Sequence, residues 1–474
     1  MLFNSQAFAI FLPIVFLLYW NIPHKYRWGL LLISSYYFYM SWNPKYIFLI
    51  LLTTAVSYGA ARLLEHAESN THRKCILYAT VFVCLGTLFV FKYFNFFSEN
   101  LTYIFQCFSI PLHPATANLL LPVGISFYTF QTLSYVFDVY KKKILPEHHF
   151  GIFATFISFF PQLVAGPIER SVNLLPQINS EKNFRYDDAV YGLRLMAWGF
   201  FKKLAIADVL AVYVDAAYSS LSTCTGLDLL CAIFFFTIQI YCDFSGYSDI
   251  ARGTAKLLGI NLMTNFASPY FSASVKEFWA RWHISLSTWF RDYVYIPLGG
   301  NRCSALKHSR NLLITFLISG LWHGANWTFV LWGGVHGAAL IAENRLKSFL
   351  KIEQKYLRAI SIPVTFLFCN FAWILFRANN FSEFTYILTK LTSSMNDYQN
   401  FIHTNIGLSI PILLNIFVSL IILTLYDFIS LKTDIISWIG QKHILLRWCI
   451  YFAIIFYTIL SMPLEASSFI YFQF

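Results

Sequence analysis

Gly320-Leu321-Trp322-His323-Gly324-Ala325-Asn326-Trp327 sets an imidazole inside an apolar run that extends from Asn311 to about Leu340. A helix needs about 20 residues to cross a bilayer, and this run is long enough. An ionisable side chain at membrane depth is costly unless something compensates it, so His323 is a candidate functional residue. Gly320 and Gly324 flank it at i−3 and i+1, where missing side chains let a second helix or a substrate chain approach the backbone. The alternative is a packing histidine bonded to a neighbouring carbonyl, which would not by itself require glycines on both sides.

Around this stretch the 474 residues are 57% hydrophobic and only 12% charged, about half the charge of a soluble domain. Phe (50) and Tyr (29) are abundant, as suits lipid-facing and interfacial surfaces. The composition indicates an all-α polytopic membrane protein. The net charge of +11 gathers in short runs between apolar segments, at His24–Arg27, Arg73-Lys74, Lys141–Lys143, Lys202-Lys203 and Arg302–Arg310. Such runs read as topology signals and lipid-headgroup contacts, not as a nucleic-acid surface. The nine cysteines form no C-x-x-C pair, so neither a disulfide framework nor a metal site is expected. No basic n-region or small-residue cleavage site opens the chain, and Phe8–Trp20 is expected to be a retained membrane segment.

Apolar stretches lie near 6–22, 28–41, 46–61, 76–97, 119–140, 150–165, 189–218, 226–242, 311–323, 325–345, 359–376, 407–428 and 445–463. Several, notably 28–41 and 150–165, are short for a span, which predicts broken or re-entrant pieces beside about 11 transmembrane helices. Lys25, Arg27, Arg62, Arg73, Lys74 and Lys141–Lys143 favour the cytoplasmic side, which leaves the N-terminus external. No repeat or disordered linker interrupts the chain, so residues 1–474 are assigned to a single integral membrane domain. The segment Asp243–Arg310 departs from the pattern, having no clean apolar run of spanning length. Within it, Phe278–Ser287 reads as one interfacial or re-entrant helix with Phe278, Trp282 and Leu286 on one stripe.

His323 is the strongest base candidate, because imidazole titrates near neutral pH without help. His283, 40 residues upstream, is the natural second histidine. His336 is 13 residues beyond His323, about 220° round a continuous helix. It therefore reads as a packing residue unless the helix breaks at Gly333-Gly334. Asp243 and Asp249 stand either near a cavity mouth or as cap and turn residues around Ser245-Gly246. Arg281 with Glu277 reads as an i, i+4 pair. Pro122-Val123-Gly124 and Ala165–Arg170 either kink helices or shape a passage. No nucleophile elbow, metalloprotease, phosphate-loop or dinucleotide motif is present.

Four pieces then resemble a known family, the membrane-bound O-acyltransferases (MBOAT). They are Pro161–Arg170 (PQLVAGPIER), Tyr241–Asp249 (YCDFSGYSD), Phe278–Gly300 (FWARWHISLSTWFRDYVYIPLGG) and Gly320–Trp327 (GLWHGANW). The opening Leu2-Phe3-Asn4-Ser5 before an apolar run is similar too. The match is to the bacterial branch that O-acetylates alginate and peptidoglycan, related to the teichoic-acid D-alanyl transfer proteins. It covers most of the chain to about Leu340. The resemblance implies a ring of helices around a central tunnel, with His323 as the catalytic histidine and His283 as the second histidine near the tunnel.

The expectation is an O-acyltransferase that carries acetyl from cytoplasmic acetyl-CoA across the bacterial inner membrane to a cell-envelope polysaccharide. Tyr241, Asp249, Trp282 and Asn326 are candidate tunnel residues. No cofactor or metal is expected to reside in the protein. The resemblance implies a periplasmic SGNH-type acetyltransferase as partner, besides the acyl-CoA donor and membrane lipids. Two alternatives stand beside it: D-alanyl transfer to teichoic acid from a carrier-protein thioester, and a non-enzymatic polytopic transporter.

Overall fold

The computed structural model describes residues 1–111, 113–117, 119–164, 166–350, 354–393, 409–463, 469 and 470. Ala165 of the expected bend and residues 407 and 408 of an expected span lie outside them. Among the described residues the chain is helical, without β-strands. It forms two compact units, Met1–Leu193 with Ala251–Met263, and Arg194–Ile250 with Thr264–Phe474.

The first unit contains α1 (Gln6–Asn21), α2 (His24–Met40), α3 (Ile47–His66), α4 (Asn70–Leu88), α5 (Phe94–Cys107), α6 (Ile125–Tyr140), α7 (Phe150–Ser158), α8 (Phe160–Leu163) and α9 (Ser171–Asn179), and most of α10 (Tyr186–Phe200). Ser5 caps α1, its hydroxyl accepting the Phe8 N–H and so satisfying one of the donors that every helix start leaves open. Gly124 starts α6 at φ +74°. A methyl group there would stand 2.5 Å from the Leu163 carbonyl oxygen. Pro122-Val123-Gly124 therefore both ends a connection and lets the α8 backbone close on it.

The second unit contains a π-helical turn Phe201–Ala207, α11 (Asp208–Ser219), the greater part of α12 (Gly226–Leu257), α13 (Val275–Arg281), α14 (Ile284–Phe290), a second π-helical turn Arg291–Tyr295, α15 (Ala305–His323), α16 (Trp327–Leu350), α17 (Gln354–Arg377), α18 (Phe381–Ser393), α19 (Ile410–Ser430), α20 (Ile435–Gly440) and α21 (Ile444–Ser461). Six helical stretches among the described residues are long and apolar enough to cross a membrane: Pro44–His66, Asn70–Cys107, Gly226–Leu257, Arg358–Arg377, Ile410–Ser430 and Ile444–Ser461. The other expected spans, including α2, α6, α15 and α16, are shorter or less apolar than that.

Two local expectations are corrected, and one of two open readings is removed. α12 runs unbroken through Asp243–Asp249, so these aspartates are neither caps nor turn residues; their charge is met by lysines inside the fold. Phe278–Ser287 is not one helix, because α13 stops at Arg281 and His283 takes a left-handed φ of +43° before α14 begins. The i, i+4 pair Arg281–Glu277 does form, at 2.8 Å. Finally, the apolar run around His323 is a helical hairpin: α15 ends at His323 and α16 begins at Trp327.

Glycines make that hairpin close. A methyl group at Gly320 would lie 2.2 Å from the Phe329 carbonyl oxygen, and one at Gly333 would lie 2.1 Å from that of Phe316. Backbone meets backbone at both positions, so neither neighbour can yield by rotating a side chain. At Gly334 the added methyl would meet only Leu317 Cδ2 at 3.4 Å. Gly333→Ala is therefore expected to destabilise the folded protein by about 1–3 kcal/mol, whereas Gly334→Ala leaves the melting temperature in detergent close to wild type. Equal melting of the two variants would mean that the hairpin does not depend on this approach.

Candidate active site

His323 occupies the last position of α15, and Gly324 leaves the helix in an extended conformation at φ −161°. The imidazole is buried, 3% exposed, between the rings of Trp322 (centroids 5.0 Å), Trp332 (5.0 Å) and Phe376 (5.4 Å). Gly324 is needed beside it: a methyl group there would lie 2.1 Å from the Phe329 ring. The glycines flanking the histidine thus admit α16, the second helix anticipated from the sequence.

His283 is buried at the break between α13 and α14. Its ring lies edge-on to Phe244 of α12 (4.6 Å), near Phe266 (6.4 Å), and 6.2 Å from Trp322. One indole, that of Trp322, therefore stands within ring-contact distance of both histidines. Burial lowers the His283 pKa to about 3, because an imidazolium loses its hydration there, and the ring is neutral at physiological pH. Asn265 holds this turn. Its side-chain oxygen accepts the Ser285 N–H (3.2 Å) and hydroxyl (2.9 Å) and faces His283 Nδ1 at 3.1 Å.

Of the four expected tunnel residues, the structure brings three together. Trp282 is fully buried in an aromatic cluster with Phe266 (5.0 Å), Trp373 (5.1 Å), Phe278 (5.4 Å) and Tyr241 (6.2 Å). The Tyr241 hydroxyl donates to Asp427 of α19 at 2.8 Å. Asp249 accepts from Lys202 at 2.7 Å, and the same ammonium lies 5.8 Å from the Tyr241 ring centroid. Asn326 stands apart in role: its carbonyl accepts the Thr328 N–H at the start of α16 and its amide donates to the Asn379 carbonyl. His336 is buried with Nδ1 accepting the Trp279 indole N–H at 3.2 Å, in keeping with a packing residue.

Sequence reasoning missed the polar interior. Lys202 and Lys203 do not reach headgroups; they are 3% and 2% exposed. The π-helical turn Phe201–Ala207 presents them to α12, where a methyl group at Gly246 would lie 2.8 Å from the Gly199 carbonyl oxygen. Lys203 lies 2.7 Å from Asp208 and 2.8 Å from Asp243, and Asp243 also accepts the backbone N–H of Ile470. The available signal was their position in the middle of the apolar run 189–218. Asn265 and Asp427 carried no local signal.

A cavity of about 650 Å³ lies between α13, α14, α15 and α16. Exposed Lys276, Arg291 and Asn301 line it, as do buried Thr315 and Ser319. Ser319 is one helical turn from His323. None of the six candidate site residues lines the cavity itself.

A family model described as "MBOAT, membrane-bound O-acyltransferase family" matches residues 145–385, which include every candidate site residue. The chain is 41% identical over 384 residues to the Pseudomonas aeruginosa protein named "Probable alginate O-acetylase AlgI", covering 80% of this chain and 72% of that one. It is 34% identical over 413 residues to a "Peptidoglycan O-acetyltransferase" of Helicobacter pylori (80% and 77%). A "Teichoic acid D-alanyltransferase" of Bacillus subtilis is more distant, at 28% over 290 residues (57% and 72%).

The lysine cluster yields a direct test. Lys203→Met would leave Asp208 and Asp243 buried without their counter-charge, at a cost of about 3–5 kcal/mol. A large drop in thermal stability in detergent is expected, and the triple variant with Asp208→Asn and Asp243→Asn should recover most of it. If Lys203→Met melts like wild type, the pairing does not hold this part of the fold together.

Proposed function

The chain belongs to the membrane-bound O-acyltransferase family, and from that premise we propose that it transfers acetyl from cytoplasmic acetyl-CoA to the outer face of the bacterial inner membrane. There the acetyl group O-acetylates a cell-envelope polysaccharide such as alginate or peptidoglycan, with a periplasmic SGNH-type acetyltransferase as partner. Relatives named for alginate and peptidoglycan O-acetylation support this choice of acceptor class.

One observation carries the reading. The cavity has exposed Lys276 and Arg291 in its lining together with buried Ser319, one turn from His323. Two exposed cations in the lining suit a donor that carries phosphates, attracting it electrostatically before it docks. Its volume of about 650 Å³ leaves room for a chain ending in a thioester. A thioester is already activated, so the protein must supply mainly a base, charge stabilisation and placement.

In the proposed step, His323 takes the proton of the acceptor hydroxyl as its oxygen attacks the thioester carbonyl. The carbon–sulfur bond breaks, the new ester forms, and the imidazolium returns the proton to the departing thiolate. Trp322, Trp332 and Phe376 exclude water around the ring and fix its plane. Neutral His283, whose ring is 6.2 Å from that of Trp322, accepts a hydrogen bond from a hydroxyl group in this reading. Tyr241, Asp249 and Trp282 act behind it as the rigid wall that holds this arrangement, and Asn326 holds the hairpin end.

Purified protein in nanodiscs, given acetyl-CoA and an acceptor, tests the reaction. A general base contributes about 10²–10⁴-fold, so His323→Gln and His323→Ala should both lose transfer by that factor at unchanged folded yield. A fully active Gln variant would remove the base role. Turnover only with a thioester-loaded carrier protein would move the assignment to D-alanyl transfer, and translocation of a solute without ester formation would favour a transporter.

The proposed orientation places the N-terminus outside, from the cationic residues Lys141–Lys143 that follow α6. A reporter fused after Lys143 is expected to read cytoplasmic and one at the N-terminus external. The reverse at both sites would invert the proposed orientation.

A further inference from the structure

Asn265, a residue that no motif singled out, holds the break at His283. Asn265 is 1% exposed and grips residues 283–285 with both of its carbonyl groups. Its main-chain oxygen accepts the Ile284 N–H at 2.9 Å. Its side-chain oxygen faces three donors, the Ser285 N–H at 3.2 Å, the Ser285 hydroxyl at 2.9 Å and His283 Nδ1 at 3.1 Å. The side-chain amide nitrogen reaches Ser248 Oγ of α12 at 3.3 Å. A left-handed backbone at a residue other than glycine costs roughly 1–2 kcal/mol, and such strain persists only where the surroundings enforce it.

The hydrogen bonds also decide where the proton sits on His283. The Ser285 backbone N–H can only donate, so the Asn265 atom it meets is the amide oxygen and not the nitrogen. That oxygen can only accept, so the facing nitrogen of His283 must carry a hydrogen. In a neutral imidazole with Nδ1 protonated, the basic lone pair is on Nε2.

We propose that Asn265 is a positioning residue for acyl transfer: it holds His283 as the Nδ1–H tautomer and presents Nε2 as the hydrogen-bond acceptor of the site. This rests on the reading that His283 lies at the transfer site. The rings that face the imidazole, Phe244, Phe266 and Trp322, carry no charge. Along α12, Asp243 next to Phe244 is engaged by Lys203 and the Ile470 N–H. On α15 the titratable neighbour is His323, beside Trp322. Asn265 therefore determines the tautomer by hydrogen bonding, with burial keeping the ring neutral.

Asn265→Asp separates positioning from mere bracing. The carboxylate accepts the same three bonds, so the turn is still held. It also places a negative charge against Nδ1–H, which favours the imidazolium and raises the ring pKa by about 1–3 units. As pH falls through that raised value, Nε2 gains a proton and can no longer accept. Starting from about 3, the raised value lies at about 4–6, so the ratio of variant to wild-type kcat should fall between pH 7 and pH 4, by about twofold at the lower end of that range and by approaching 100-fold at the upper. Taking the ratio removes any pH dependence that both proteins share.

Asn265→Leu, similar in size but without an acceptor, should lower kcat at least about tenfold in the folded fraction while donor KM stays within about twofold. Wild type and His283→Ala are measured in the same nanodisc assay. An Asn265→Asp profile parallel to wild type, or a folded Asn265→Leu with wild-type kcat, overturns the proposal while leaving the acyltransfer reading intact. Failure of both variants to accumulate as folded protein also overturns it, making Asn265 a brace only. A fully active His283→Ala variant removes the role of His283 and this proposal together. Wild type inactive with every thioester removes the functional reading on which the proposal stands.

Discussion

Two ammonium groups are buried in an otherwise apolar helical unit, and much of its architecture follows from the need to neutralise them. Isolated charges in such surroundings cost several kcal/mol even after relaxation. Lys203 is met by Asp208 and Asp243, and Lys202 by Asp249. All three partners are on α11 or α12, which are thereby tied to the π-helical turn between α10 and α11. A π-helical turn shifts the side-chain register within a helix, and here two consecutive lysines both point inward. The pairs specify which helices meet more than they stabilise the fold, since well-packed apolar residues would often be as stable. α12 also carries Tyr241, Phe244 and Ser248, so the electrostatic tie fixes one wall of the candidate site.

The opposite wall depends on shape, not charge. The α15–α16 hairpin closes because Gly320, Gly324 and Gly333 offer no side chain where carbonyl groups and the Phe329 ring approach. This approach puts His323 at a helix end among Trp322, Trp332 and Phe376 instead of at mid-span. Trp322, adjacent in sequence, then touches the environment of both histidines. Charge pairing on one side and backbone contact on the other give the two imidazoles fixed, water-poor surroundings, the condition under which a neutral ring is useful as an acceptor.

Membership of the O-acyltransferase family accounts for the placement of these features within residues 145–385. The matched segment includes the lysine cluster, α12, the α13–α14 break and the hairpin. Asp427, which accepts from Tyr241, lies outside it on α19. The last helices therefore contribute to the polar interior and do more than extend the lipid-facing surface.

What the sequence determined by itself was set by local hydropathy and by short motifs. Most helix positions were legible because apolar runs bounded by cationic clusters show without tertiary information, and His323 was conspicuous as an imidazole between glycines in such a run. The i, i+4 pair Glu277–Arg281 was legible because one helix face defines it. The tertiary structure decided everything that depends on distant partners. Whether Asp243 and Asp249 stood near a cavity mouth or as cap and turn residues stayed open in the sequence, because their counter-charges, Lys203 and Lys202, are some 40 residues away. The helix through 278–287 looked continuous because its apolar stripe persists across the left-handed residue His283, which Asn265 holds from 18 positions upstream. Periodicity records which face of a segment is buried; it does not record which polar group waits on the other side of the contact, and that group decided where these helices break and what their charges meet.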